Sequence, residues 1–177
     1  MSMTTRLVES ASPVSATRVT ADGASVVVAT DDGAMDLRGF DDDGTVARLR
    51  VAAGVENAPR LDFANHDTLL LASDKWVTGA FDTQSKRSIW SRPGHVRDVS
   101  ADGQQLLIGT ATGLDVVDAK LGLQQRSFEG PRPDNGSLYN GARLPHDGLA
   151  IWRDEADVRV HEYSTGALRT SAKEFPG

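Results

Sequence analysis

The chain contains no cysteine, which excludes disulfides, thiol nucleophiles and zinc sites built on thiolates. Aromatic residues make up only 6% of its 177 residues while apolar residues reach 39%, a balance suited to thin, repeated aliphatic layers. No stretch is long and apolar enough to span a bilayer, and "MSMTTRLVESASPVSATRV" lacks the apolar run of a secretory signal. A cytoplasmic protein with no membrane partner is therefore expected. Positive charge is also in deficit. The 19 Lys and Arg against 25 Asp and Glu leave a net charge of −6, which argues against a nucleic-acid partner because phosphate binding needs a basic face. No window repeats apolar residues at three- and four-residue steps, so no helix is expected.

Catalytic signatures are missing as well. There is no Gly-x-Ser-x-Gly, no phosphate-cradling glycine loop, and no carboxylate pair that stands apart from turn aspartates. His66, His95, His146 and His161 lie at no metal-site spacing, although His66 and His146 occupy corresponding turn positions. The run Asp41-Asp42-Asp43-Gly44 fails as a calcium loop: with Gly44 at the sixth position, Gly39 would stand first and Arg50 twelfth, and no helices flank it. The expectation is no catalytic residue, no metal and no cofactor.

What is present is a repeat. The stretch "ADGQQLLIGT" at 101–110 matches "ADGASVVVAT" at 21–30 and, more weakly, "ANHDTLLLAS" at 64–73 and "LPHDGLAIWR" at 144–153, with starts 43, 37 and 43 residues apart. The alignment sets Val26-Val27-Val28, Leu69-Leu70-Leu71, Leu106-Leu107-Ile108 and Leu149-Ala150-Ile151 in register. Each triplet follows Asp, Gly or Asn turn chemistry, so each reads as a strand, and unbroken apolar runs imply burial on both faces. A second marker recurs later in each unit: Phe40, Phe81, Val117 and Tyr163 each precede a polar hairpin turn. "VARLRV", "RSIWSR", "LQQRSF" and "ALRTSA" then supply an outer strand. Every unit reads as four antiparallel strands, and there are four units.

Four-stranded units of about forty residues resemble β-propeller blades. The third unit resembles a WD-repeat blade in particular. Gly94-His95 matches the family's Gly-His pair, "VSADG" at 99–103 its strand and turn, and "LDVVDAKLG" at 114–122 its third strand and hairpin. Phe40-Asp41, Phe81-Asp82 and Val117-Asp118 stand where the family has Trp-Asp, so the chain resembles a degenerate WD-repeat-like or pyrroloquinoline-quinone-like propeller. The resemblance implies an all-β propeller of about four blades, near 14–56, 57–94, 95–136 and 137–177. It also implies a structural hydrogen-bonding role for His95. Residues 1–13 precede the blades, and "TTRLVES" within them offers an extra edge strand.

A row of four blades left open would bare an apolar face at each end, beyond the few hundred Å² a monomer ordinarily tolerates. The row must close as a four-bladed ring, be completed by a second copy, or belong to a longer propeller.

Propeller loops carry binding residues on rigid blades. Loops "TDDGA", "SDKW" and "RDEAD" set Asp31, Asp32, Asp74, Asp154 and Glu155 on one rim, where acidic groups attract a cation or a basic partner, or serve only as turn formers. The longest connection, "EGPRPDNGSLYNGAR" at 129–143, presents Arg132 and Tyr139, residue types enriched at binding hot spots. Trp76, Trp90 and Trp152 fit blade packing. The expectation is a non-catalytic protein–protein interaction scaffold with an unidentified partner. An enzyme or metal-binding propeller, or a piece of a larger propeller without activity of its own, are the alternatives.

Overall fold

The computed structural model describes residues 12–32, 34–39, 45–50, 60–73, 77–129, 149–154, 157–162, 165 and 167–173, with the backbone alone for 45–50, 129, 149–154, 157–158 and 170–173. The expected edge strand at 4–10, the Asp41–Gly44 run and Phe40 and Tyr163 lie outside them. Fifteen strands and no helix are found among the described residues. They are β1 (Val14–Val19), β2 (Ser25–Thr30), β3 (Ala34–Gly39), β4 (Thr45–Arg50), β5 (Arg60–Ala64), β6 (Leu69–Ser73), β7 (Val77–Asp82) and β8 (Arg87–Pro93). Then follow β9 (His95–Val99), β10 (Gln105–Gly109), β11 (Gly113–Asp118), β12 (Gln124–Glu129), β13 (Leu149–Asp154), β14 (Asp157–Glu162) and β15 (Leu168–Lys173). They form four antiparallel meanders: β1–β4, β5–β8, β9–β12 and β13–β15. The chain divides into two compact units, Met1–Pro59 with the first sheet and Arg60–Gly177 with the other three.

The apolar triplets of the first three sheets are their cores. Val27, Leu70, Leu106, Leu107 and Ile108 are wholly buried, and Val28, Leu69 and Leu71 nearly so. A strand buried on both faces cannot alternate with polar residues, which is why these runs are unbroken. Each such side chain contributes about 1.5–3 kcal/mol of transfer free energy.

The expected turn recurs atom for atom in sheets one and three. The Thr20 hydroxyl donates to Asp22 Oδ1 at 2.6 Å, and that carboxylate accepts the Ala24 N–H at 2.8 Å. Ser100, Asp102 and Gln104 make the same two contacts at 2.7 and 3.0 Å. In both turns the glycine, Gly23 or Gly103, sits at positive φ (+70° and +68°), a conformation costly for any other residue.

Sheet two departs from this. Its turn has no glycine, and Asn65, His66 and Asp67 all adopt positive φ (49°, 53° and 63°), a region that Asn, Asp and His tolerate best. The pairing also corrects the alignment of the triplets. Ala64 pairs with Leu69 where Ser100 closes on Gln105, so Leu70-Leu71-Ala72 takes the place of Leu106-Leu107-Ile108. Leu149 likewise pairs with Glu162 as Gln105 pairs with Asp118, which brings Ala150-Ile151-Trp152 into register. Both apolar runs are four residues long and admit either alignment by eye, but a one-residue slip exchanges the two faces.

All four sheets share a feature absent from the sequence pattern. Between the last two described strands of each sheet the ladder skips one residue: Val46, Ile89, Gln125 and Arg169. These bulges lie 43, 36 and 44 residues apart, so they track the repeat. An extra residue bends the outer strand and spoils it as an edge for further pairing.

Candidate functional site

The loop between β2 and β3 carries two expected rim residues. Asp32 is turned inward onto its own loop: Oδ1 accepts the Thr30 hydroxyl at 2.5 Å and the Ala34 N–H at 3.2 Å, and Oδ2 accepts the Ser12 hydroxyl at 3.3 Å. The Asp31 N–H donates to the Pro13 carbonyl at 3.0 Å, and its side chain is exposed. The corresponding loop of sheet three uses Thr110 and Thr112, with the Thr110 N–H donating to the Gly113 carbonyl at 2.8 Å. A carboxylate and a hydroxyl thus close equivalent loops. Asp154 ends β13 opposite Asp157, and its backbone alone is described. Asp74, Glu155, Arg132 and Tyr139 lie outside the described residues, as does His146, the counterpart of exposed His66.

The hairpins between the last two described strands of sheets two, three and four repeat a second carboxylate role. Asp82 Oδ1 accepts the N–H groups of Gln84 and Ser85 at 3.1 and 2.5 Å, and Asp118 Oδ1 accepts that of Leu121 at 2.8 Å. In sheet four Glu162 holds the matching position and accepts the Thr165 hydroxyl at 2.7 Å and Arg169 at 2.5 Å. These bonds favour the charged form. The Ser85 amide holds Asp82 below the usual carboxylate value, with Lys120 helping. Thr165 and then Arg169 do the same for Glu162, and Thr20 and the Ala24 amide for Asp22.

A further set of polar groups lies at the seam between sheets two and three. Its centre is apolar, with Leu69, Leu71 and Ala80 against Val96, Leu106, Ile108 and Val117. Trp90 lies at one margin, its indole N–H donating to the Ala119 carbonyl at 3.0 Å. A Cβ on Gly122 would come within 2.7 Å of that ring, so the ring needs the glycine. Beside it, Arg92 donates to Asp115 Oδ2 at 2.8 Å, while the Ser127 hydroxyl donates to the other oxygen. Across the seam, Arg60 bridges Asp62 at 2.7 Å and the Val96 carbonyl at 3.1 Å. Gly94 has φ of +113°, and a Cβ there would meet Ile108 at 2.5 Å, which accounts for the glycine of the Gly-His pair.

Sequence reading placed Trp90 in blade packing but missed Arg60, Asp62, Arg92 and Asp115. The signal was Asp115 in the otherwise apolar "LDVV", since a charge inside a buried strand requires a partner. Among the described residues no three His, Asp or Glu side chains gather as metal ligands.

No protein-family model and no curated protein matches the sequence. Solved structures do match. The chain superposes on BamB from Moraxella catarrhalis with a TM-score of 0.68 at 13% identity, covering 92% of this chain and 54% of that one. It superposes on U3-55K with a TM-score of 0.68 at 13% identity, over 97% and 55%. For the WD40 repeats of RRP9 the TM-score is 0.65 at 12% identity, over 92% and 52%. The chain thus spans about half the length of these structures. All three are β-propellers, and with four sheets of repeated, antiparallel, blade-like construction the chain has a β-propeller fold, whole or partial.

Proposed function

We propose that the chain is a non-catalytic protein–protein interaction scaffold. The observation that carries this reading is the use made of its described carboxylates. Asp22, Asp32, Asp82, Asp102 and Asp118 accept hydrogen bonds within their own turns, and Asp62 and Asp115 hold arginines at a seam between sheets. Groups committed to holding blades in shape make a rigid carrier for loops. The WD40 repeats among the structural neighbours support the same reading by analogy of fold alone.

Contact then falls to the loops, with Arg132 and Tyr139 of the 129–143 connection as anchors. Affinity capture with the whole chain, a loop-shortened variant and R132A/Y139A tests this. Partner recovery falls while the circular dichroism and melting temperature hold; unchanged recovery from all three would overturn the assignment of the loop.

The half-length match to three propellers fits a second copy completing the ring, and equally a piece of a longer propeller. For the completed ring, light scattering is expected to give twice the 18.9 kDa of one chain, and a single-chain mass would exclude the second copy.

A further inference from the structure

We propose that the adjoining hairpin tips of sheets two and three form a docking surface for an acidic peptide segment with an apolar anchor. The tips are held together: Gly122 of the second tip lies under the Trp90 ring, and its carbonyl accepts Arg92 at 3.3 Å. Lys120 of the same tip acts electrostatically on Asp82 at the base of the first. Lys86, Arg87 and Lys120 are exposed around this junction, in a chain of net charge −6. Asp82 and Asp118, the carboxylates among them, are turned onto their own turn amides.

Leu121 and Leu123 follow Lys120 on the second tip at 59% and 62% exposure. The turn makes no use of their side chains: the Leu121 N–H and the Leu123 carbonyl bond to Asp118, and any residue supplies those groups. The matching turn of sheet two carries Ser85 and Arg87 at the corresponding positions. Two leucines exposed on one hairpin tip, with exposed cations on both adjoining tips, are complementary to a partner with negative charge and an apolar side chain. The leucines favour a peptide over a nucleic acid, which would match the cations only. This surface uses residues separate from the 129–143 connection, so either can fail without the other.

The test is fluorescence anisotropy with the full chain and a short labelled peptide of Glu and Ser with two central leucines. Binding is expected, weakening as salt screens the cations. K86E/K120E should reduce it by at least about tenfold. L121S/L123S should reduce it several-fold, at an unchanged melting temperature since Ser85 already fills one of these positions in the sister turn. Binding indifferent to both variants, or no binding by the wild type, would overturn the proposal. So would tighter capture by phosphatidylserine vesicles, lost in the same variants, which would assign the surface to a membrane.

Discussion

Sheets one and three open with the same turn, a hydroxyl, an aspartate and a glycine in one hydrogen-bonded arrangement, whereas sheet two opens with three residues at positive φ. The odd turn is not a decayed copy. Its Asn65 N–H donates to the Gly103 carbonyl at 3.0 Å, and its side-chain oxygen accepts Gln104 at 2.9 Å. The left-handed run presents a backbone donor to the neighbouring turn. At this junction the turns of sheets two and three are joined although different residues build them.

The two glycines make the comparison quantitative. Gly103→Ala places a Cβ 2.5 Å from the Asn65 nitrogen, backbone that cannot swing aside, and adds the cost of positive φ. About 3 kcal/mol should be lost, read from the urea midpoint. Asn65→Ala removes the hydrogen bonds to Thr68 and Gln104 and a side chain suited to φ of 49°, for about 2 kcal/mol. Gly23→Ala, at nearly the same φ but with nothing within 4 Å of the new Cβ, should lose only about 1 kcal/mol. Equal losses at Gly23 and Gly103 would show that sheet two's turn does not bear on sheet three's.

The smallest expected effect is acid sensitivity. Asp22, Asp82 and Glu162 titrate below their ordinary values of 3.8, 3.8 and 4.5 in the folded chain. A lowered folded value means that the unfolded chain binds protons first. The stabilisation is therefore full above about pH 5 and disappears as the pH falls through the folded values. Thermal melts of D22N/D82N/E162Q should show a flatter acid limb than the wild type; an identical limb would mean that these turns add nothing.

Much of this fold is legible in the sequence because its strands are short, unbroken apolar runs behind Asp-Gly turns. The register of sheets two and four is not, since "LLLA" and "LAIW" each permit a shift that only the pairing partner settles. The four bulges are hidden for the same reason: a skipped residue is defined by the opposite strand. At the rim, the aspartates of "TDDGA" are visible as turn formers, and Asp32 behaves as one. The Arg92–Asp115 clamp spans 23 residues and two sheets, so no local pattern announces it.

Charged side chains pin sheet two to sheet three across their seam, and the Arg92–Asp115 pair tests this role most directly. Side-chain exposures of 17% and 10% make the loss of either partner costly to the other. A double-mutant cycle with R92A, D115A and the double variant, followed by urea unfolding, should give a coupling of about 2 kcal/mol. Losses that add to within about 0.3 kcal/mol would contradict it, leaving the seam to its leucines alone.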